Sequence, residues 1–242
     1  MNSSYIPGRK PVMEQLSTSS DSIDLVLIQK PATRALGQII EKCKQSRVRF
    51  RLTTAQELDR LAKGHQGVAA RIRAVKNFQP EDIFTLIHEC PFPLILALDQ
   101  VQDTGNLGSL ARTMAAFGGA GIITPKDRSA HQGTGALKSS AGAISRIRMA
   151  QVTNLARTLD QARDEGFWIY GAVMNQGKDI YRTSFNFPAI LVLGGEEKGI
   201  RPNVLKRCHE IIHIPMPGGF ESLNVAQAGA IILGQMLGQS MV

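Results

Sequence analysis

CHEIIHIPMPGGFESLNV, residues Cys208 to Val225, admits two incompatible readings, and the choice between them decides the fold. Its first half contains His-Glu-x-x-His (His209, Glu210, His213), the spacing with which zinc proteases hold a metal from one face of a helix. Its second half runs from Ile214-Pro215-Met216 through paired glycines into Ser222-Leu223-Asn224 and an apolar helix. The metal reading needs His209 and His213 one helical turn apart. Ile211, Ile212, Ile214 and Pro215 instead crowd the segment with β-branched residues and a helix breaker. On a strand the two imidazoles would lie about 13 Å apart, too far to share one ion. Met216 also occupies the position where a longer zinc motif requires glycine. The segment is therefore expected to be a strand that delivers a polar loop, and no metal site is expected.

Working outward, strand and helix signals alternate from Leu94 onward. LILALD is a continuous apolar run ending at Asp99, the pattern of a strand buried on both faces. SLARTMAAFGG reads as a helix entered at about Ser109, AGIIT as a strand and ALKSSAGAIS as a helix. NLARTLDQARDEG reads as a helix, FWIYGAVM and AILVLGG as strands, and NVAQAGAIILGQML as the last helix. Such alternation predicts an α/β domain with a parallel sheet, over residues 92–242. Residues 1–75 form a second, smaller α/β module. In it VRFRLTT alternates as a strand with Arg47, Arg49 and Arg51 on one face. Residues 76–91, with Pro80 and Pro91, read as a linker.

The composition narrows the partners. Of 242 residues, 43% are hydrophobic and 20% charged, which describes a globular chain. The net charge of +8 is uneven: residues 1–75 hold 13 Lys/Arg against 6 Asp/Glu, and the remainder 15 against 14. A basic first third attracts polyanions such as nucleic acid. Cys43, Cys90 and Cys208 are scattered, which fits a reducing compartment. No apolar run suits a membrane span or a signal peptide, so a cytoplasmic protein is expected.

Three polar clusters follow apolar strands, where open α/β sheets bind ligands. They are LDQVQDTGNLGSLAR, with Asn106 in a loop and Arg112 in a first helical turn, LVLGGEEKGIR, with Gly194, Gly195 and Glu196, and IPMPGGFESLNV, where Ser222 or Asn224 can cap the last helix. GTGALKSS (Gly133–Ser140) suggests a phosphate loop, but Leu137 replaces the glycine that must precede the lysine. No GxGxxG follows a strand.

In order and spacing the three clusters resemble the three motifs of the SpoU family of RNA ribose 2′-O-methyltransferases. The matching residues are Asn106-Leu107-Gly108 with Arg112, Gly194-Gly195-Glu196 with Gly199, and Ile214-Pro215-Met216 with Ser222-Leu223-Asn224-Val225. IPGRKPVMEQL and GHQGVAARI resemble the ends of the family's ribosomal-protein-like substrate-binding domain. TPKDRSA and VTNLARTL resemble the subgroup acting on a guanosine of 23S ribosomal RNA. The resemblance implies a knotted catalytic domain of the trefoil type, a homodimer packed through the last helix, and S-adenosylmethionine as cofactor without a metal. By matched position the cofactor would contact Gly194, Gly195, Ile214, Met216 and Leu223. Arg112 would activate the ribose hydroxyl, with Glu196, Asn106 and Asn224 supporting it. Arg9, Arg47, Arg49, Arg51 and Ser222 are the candidates for holding RNA. Transfer RNA as substrate, or a non-catalytic RNA-binding role, stays open on the sequence alone.

Overall fold

Two sheets organise the chain, and each follows from where its apolar residues recur. The computed structural model describes residues 5–18, 20–72, 77–130, 136, 139–140 and 143–241. The first sheet contains β1 (Tyr5–Pro7), β2 (Ile23–Gln29), β3 (Phe50–Thr53) and β4 (Val68–Ile72), in the order β1-β4-β2-β3. β4 is antiparallel to both neighbours, while β2 and β3 run parallel. Val26, Ile28, Val68 and Ala70 face the helices Arg9–Thr18 and Arg34–Gln45, which supply Val12, Leu16, Leu36, Ile39 and Cys43. Leu27 and Ala69 alternate to the other face and meet Leu58 of the helix Ala55–Leu61.

The VRFRLTT expectation needs correction. β3 begins only at Phe50, because Arg47 and Val48 belong to the end of the preceding helix. Arg47 adopts a left-handed conformation (φ 55°), its N–H donates to the Lys44 carbonyl, and the Val48 N–H donates to that of Cys43. These two bonds form a Schellman cap, with arginine where glycine is usual. Arg47, Arg49 and Arg51 are all exposed, but they do not share one face of one strand.

The second sheet has eight strands, all parallel to their neighbours, in the order β10-β12-β9-β11-β6-β7-β8-β5. They are β5 (Asn77–Phe78), β6 (Phe92–Asp99), β7 (Gly119–Pro125), β8 (Met149–Val152), β9 (Trp168–Ala172), β10 (Lys178–Asp179), β11 (Ala189–Gly194) and β12 (Glu210–His213). Alternate residues sort into two faces. Leu94, Leu96, Leu98, Leu191 and Leu193 pack under the helices Thr104–Phe117 and Val225–Ser240. Ile95, Ala97, Ile190 and Val192 pack against Ile83, Phe84 and the helix Leu155–Asp164. Covering on both faces is why β6 and β11 read as unbroken apolar runs.

The stretch expected as a linker takes part in this sheet: β5 pairs with β8, and Ile83, Phe84 and Ile87 are buried. The helix expected to start near Ser109 starts at Thr104, with Asp103 as its cap, so Asn106 lies in its first turn and Arg112 two turns further on. Gly105 and Gly108 make that first turn resemble a loop in sequence. Gly108 is required there because a Cβ would strike Ser139 Oγ and approach the Ala136 carbonyl to 2.8 Å. Of GTGALKSS only residues 136, 139 and 140 are described; of the expected helix ALKSSAGAIS, residues 137, 138, 141 and 142 lie outside the described residues and Ala143–Ser145 form a single 3-10 turn. Among the described residues no helix is long and apolar enough to cross a membrane.

Candidate active site

The stretch 208–225 folds as the strand reading requires. Ile211 and Ile212 lie in β12, and His209 precedes it, its Nδ1 accepting from the Ile169 N–H and its ring stacking on Trp168 at 4.7 Å. His213 sits at the other end of the strand, beside the carboxyl ends of β9 and β11. Among the described residues no group of three or more His, Cys, Asp or Glu could hold a metal ion.

At those carboxyl ends lies a cleft of about 490 Å³, within the usual range for a small organic ligand. Leu193, Ile214, Met216, Leu223, Val225 and Ile232 give it apolar walls, and Glu196, Lys198, Ser222 and Asn224 a polar rim. All five residues expected to hold the cofactor line it: Gly194, Gly195, Ile214, Met216 and Leu223. The glycines are obligatory. A Cβ on Gly194 would strike the backbone of Gly199 and Ile200, and one on Gly195 the carbonyl of Gln100. Bare backbone therefore faces the cleft on this side. His213 also lines it, and its buried Nδ1 has no hydrogen-bond partner among the described residues. A buried polar atom of that kind, beside apolar walls, fits a ligand that offers both apolar surface and a hydrogen-bonding group.

Three of the four expected catalytic residues are brought together. The Asn106 amide donates to Glu196, and its carbonyl oxygen accepts from Asn224 Nδ2 at 3.0 Å. Asn224 Oδ1 caps the last helix by accepting from the Ala226 and Gln227 N–H groups at 2.9 and 3.4 Å. Asn106 itself is fixed through its N–H, which donates to Asp103 at 2.8 Å. One carboxamide chain thus ties together three segments far apart in sequence. Arg112 is not part of it: it is exposed and makes no hydrogen bond or ion pair among the described residues.

Sequence reasoning missed the anchor beneath this network. Asp99, with no exposed surface, accepts from the Arg201 N–H and Nε at 2.8 Å each and pairs with its Nη2 at 2.6 Å. The Asp99 carbonyl accepts from the Gly195 N–H at 2.9 Å. Both ends of the loop 195–201 are thereby fixed to the end of β6, and with them Glu196.

The arginines proposed for RNA differ among themselves. Arg49 pairs with Asp24 at 2.6 Å, Arg51 pairs with Glu57, and Arg9 Nε donates to the Gln66 carbonyl at 3.0 Å. Burial pushes the Asp24 carboxyl up, yet hydrogen bonds and charge from Arg71 and Arg49 outweigh it and hold it below the usual range. Arg47 is unpaired among the described residues.

A parallel α/β sheet with a glycine-backed cleft at its strand ends, bordered by a carboxamide–carboxylate network, defines an α/β protein with a small-molecule site at the carboxyl ends of its strands. More specifically, the chain belongs to the SpoU rRNA methylase family, whose profile matches residues 93–234. The profile of the RNA 2′-O ribose methyltransferase substrate-binding domain matches residues 5–78. A TrmH-family tRNA/rRNA methyltransferase of Bacillus subtilis is 33% identical over 95% of this chain and 93% of its own. A 23S rRNA (guanosine-2′-O-)-methyltransferase of Xylella fastidiosa is 34% identical over 97% of this chain and 96% of its own. The solved structure of the SpoU methyltransferase AviRb from Streptomyces viridochromogenes with AdoMet superposes with a TM-score of 0.71. It is 20% identical and covers 99% of this chain and 91% of that one.

Proposed function

We propose that this protein transfers a methyl group from S-adenosylmethionine to a ribose 2′-hydroxyl of RNA, with a guanosine of 23S ribosomal RNA as substrate. The observation that carries the reading is the convergence of the three motif segments on one cleft, through Asn106, Glu196 and Asn224. Membership of the family and near full-length identity to a guanosine-2′-O-methyltransferase support the substrate.

When bound, the cofactor supplies an electrophilic methyl group on a sulfonium. Gly194 and Gly195 admit it against backbone, and Ile214, Met216 and Leu223 exclude water around it. The Asn106–Glu196–Asn224 network fixes the cleft's loops, which would orient the ribose hydroxyl towards the methyl group the cofactor would supply. Glu196, on the rim of the cleft, is assigned the role of accepting the hydroxyl proton. Arg112 acts as a fixed charge, because a guanidinium offers five N–H donors and no acceptor. It grips the neighbouring phosphate and stabilises the developing alkoxide. Ser222, on the rim, is assigned to the RNA.

We also assign residues 1–75 to RNA binding, 76–91 to the connection, and 92–242 to methyl transfer. Within the connection, residues 77–89 pack with the second sheet. The family's trefoil knot is assigned to the second sheet through membership of the family. A homodimer is supported by an exposed stripe on the last helix formed by Ala230, Ile231, Gly234, Gly238 and Met241. A cytoplasmic location fits a ribosomal substrate.

The test is transfer of labelled methyl from S-adenosylmethionine to undermethylated 23S ribosomal RNA and, separately, to transfer RNA, with nuclease mapping of the ribose. Label at a guanosine 2′-oxygen of ribosomal RNA is expected. Label in transfer RNA alone would reassign the substrate. Absence of both transfer and cofactor binding would leave an RNA-binding protein.

A further inference from the structure

Phe220 lies in the segment Pro217–Asn224, every residue of which is exposed. Its side chain is 78% exposed, and among the described aromatic residues only Tyr181 is similarly open, at 57%. The other described Phe, Tyr and Trp rings are buried or half-buried, several of them in aromatic pairs. Phe220 therefore contributes little to the core, although a phenylalanine in water is unfavourable unless something covers it.

Its position says what that is. Met216 and Leu223 on either side of it line the cleft, as does Asn224. The four steps from Phe220 to Asn224 span at most about 14 Å, so the ring can reach a nucleotide whose ribose lies at the carboxamide network. The segment contains no lysine or arginine and one carboxylate, Glu221, so it is not built to grip phosphate. A flat uncharged ring at such a place suits the face of a nucleobase, which stacks on aromatic side chains. Gly219 has φ +76° with open space around it, and a Cβ on Gly218 would meet only the Phe220 ring, at 4.0 Å, which gives the ring a flexible stem.

We propose that Phe220 is a stacking platform for a nucleobase at or next to the methylated ribose. The inference rests on the RNA methyl-transfer reading above. The ring grips the base when the segment folds over the substrate, and so sets the position of the 2′-hydroxyl without touching the reacting atoms. It is a positioning residue.

The test uses the full-length protein, an unmodified 23S ribosomal RNA transcript and S-adenosylmethionine. Phe220→Ala is expected to lower kcat/KM for RNA about tenfold or more, while affinity for S-adenosylhomocysteine, read by calorimetry, stays within about twofold. Phe220→Trp should retain activity. Phe220→Leu, apolar but without a π face, should fall with the alanine variant. In a Trp168→Phe background, the fluorescence of Phe220→Trp should be quenched when RNA binds. Full activity of the leucine variant would overturn the proposal, because any apolar contact, including one with a second copy of the chain, would then suffice. Full activity of the alanine variant, or no quenching, would overturn it as well. Failure of the wild-type protein to methylate either the ribosomal transcript or transfer RNA is visible before any variant is made. It would refute the methyl-transfer reading itself, and this inference with it.

Discussion

Asp99 and Arg201 show how much of a site can rest on residues that touch no ligand. The Asp99 carboxylate is fully buried, and two of its three described donors are on the Arg201 side chain and the third is the Arg201 backbone N–H, so removing the side chain leaves the carboxylate a single donor. We expect Arg201→Ala to cost about 2 kcal/mol in denaturant unfolding, below the usual value for a buried pair because the guanidinium is 43% exposed. Arg112 is the opposite case. Nothing described in the folded chain depends on it, so Arg112→Ala should leave unfolding and cofactor affinity nearly unchanged. Turnover measured by methyl transfer should fall at least about a hundredfold; near-normal turnover would remove it from the mechanism. Asn106, Glu196 and Asn224 were legible in sequence because each sits in a short motif beside a strand end. The Asp99–Arg201 pair was not, since its members stand 102 residues apart and neither breaks a local pattern.

The elements were legible where packing writes a clean period. β6 and β11 could be read directly, and β12 could be told from a helix by its β-branched run. β8 was missed because Met149-Ala150-Gln151-Val152 has little strand propensity and only four residues. Tertiary burial of Met149 and Ala150 between β7 and β5 makes it a strand. Helix contacts are equally sharp. A Cβ on Gly229 would strike Leu110 and approach Leu193 to 2.8 Å, where the last helix crosses Thr104–Phe117. Gly229→Val should therefore lower stability by about 2 kcal/mol through overpacking. Gly37, in the helix Arg34–Gln45, has nothing within 4 Å of such a carbon. Gly37→Ala should raise stability by up to about 1 kcal/mol. Thermal unfolding of both variants checks the contrast, and equal effects would mean that helix propensity, not contact, governs these positions.

Across the whole molecule, the charge map separates the two sheets more clearly than any motif. The basic excess lies in the first 75 residues, yet the structure shows that not every arginine there is available. Arg51 is held by Glu57, whose carboxyl the Thr53 hydroxyl, against some burial, and then Arg51 itself keep below the usual range. Arg47 has no such partner among the described residues. In RNA binding measured over a salt series, Arg47→Asn, which tolerates the left-handed turn, should reduce the slope of log K against log salt by about 1. Arg51→Ala should change it less; equal changes would show that the ion pair opens when RNA arrives.

The carboxamide network has a further consequence. Asn106 meets Glu196 across 90 residues and Asn224 across 118, and Asn224 also starts the final helix. Contacts of such separation close late and only once the distant partner exists. While the chain is still emerging from the ribosome that makes it, its early part can be folded and can already carry the basic surface. Its cleft cannot yet be complete, because the last corner of the Asn106–Glu196–Asn224 triangle has not been synthesised.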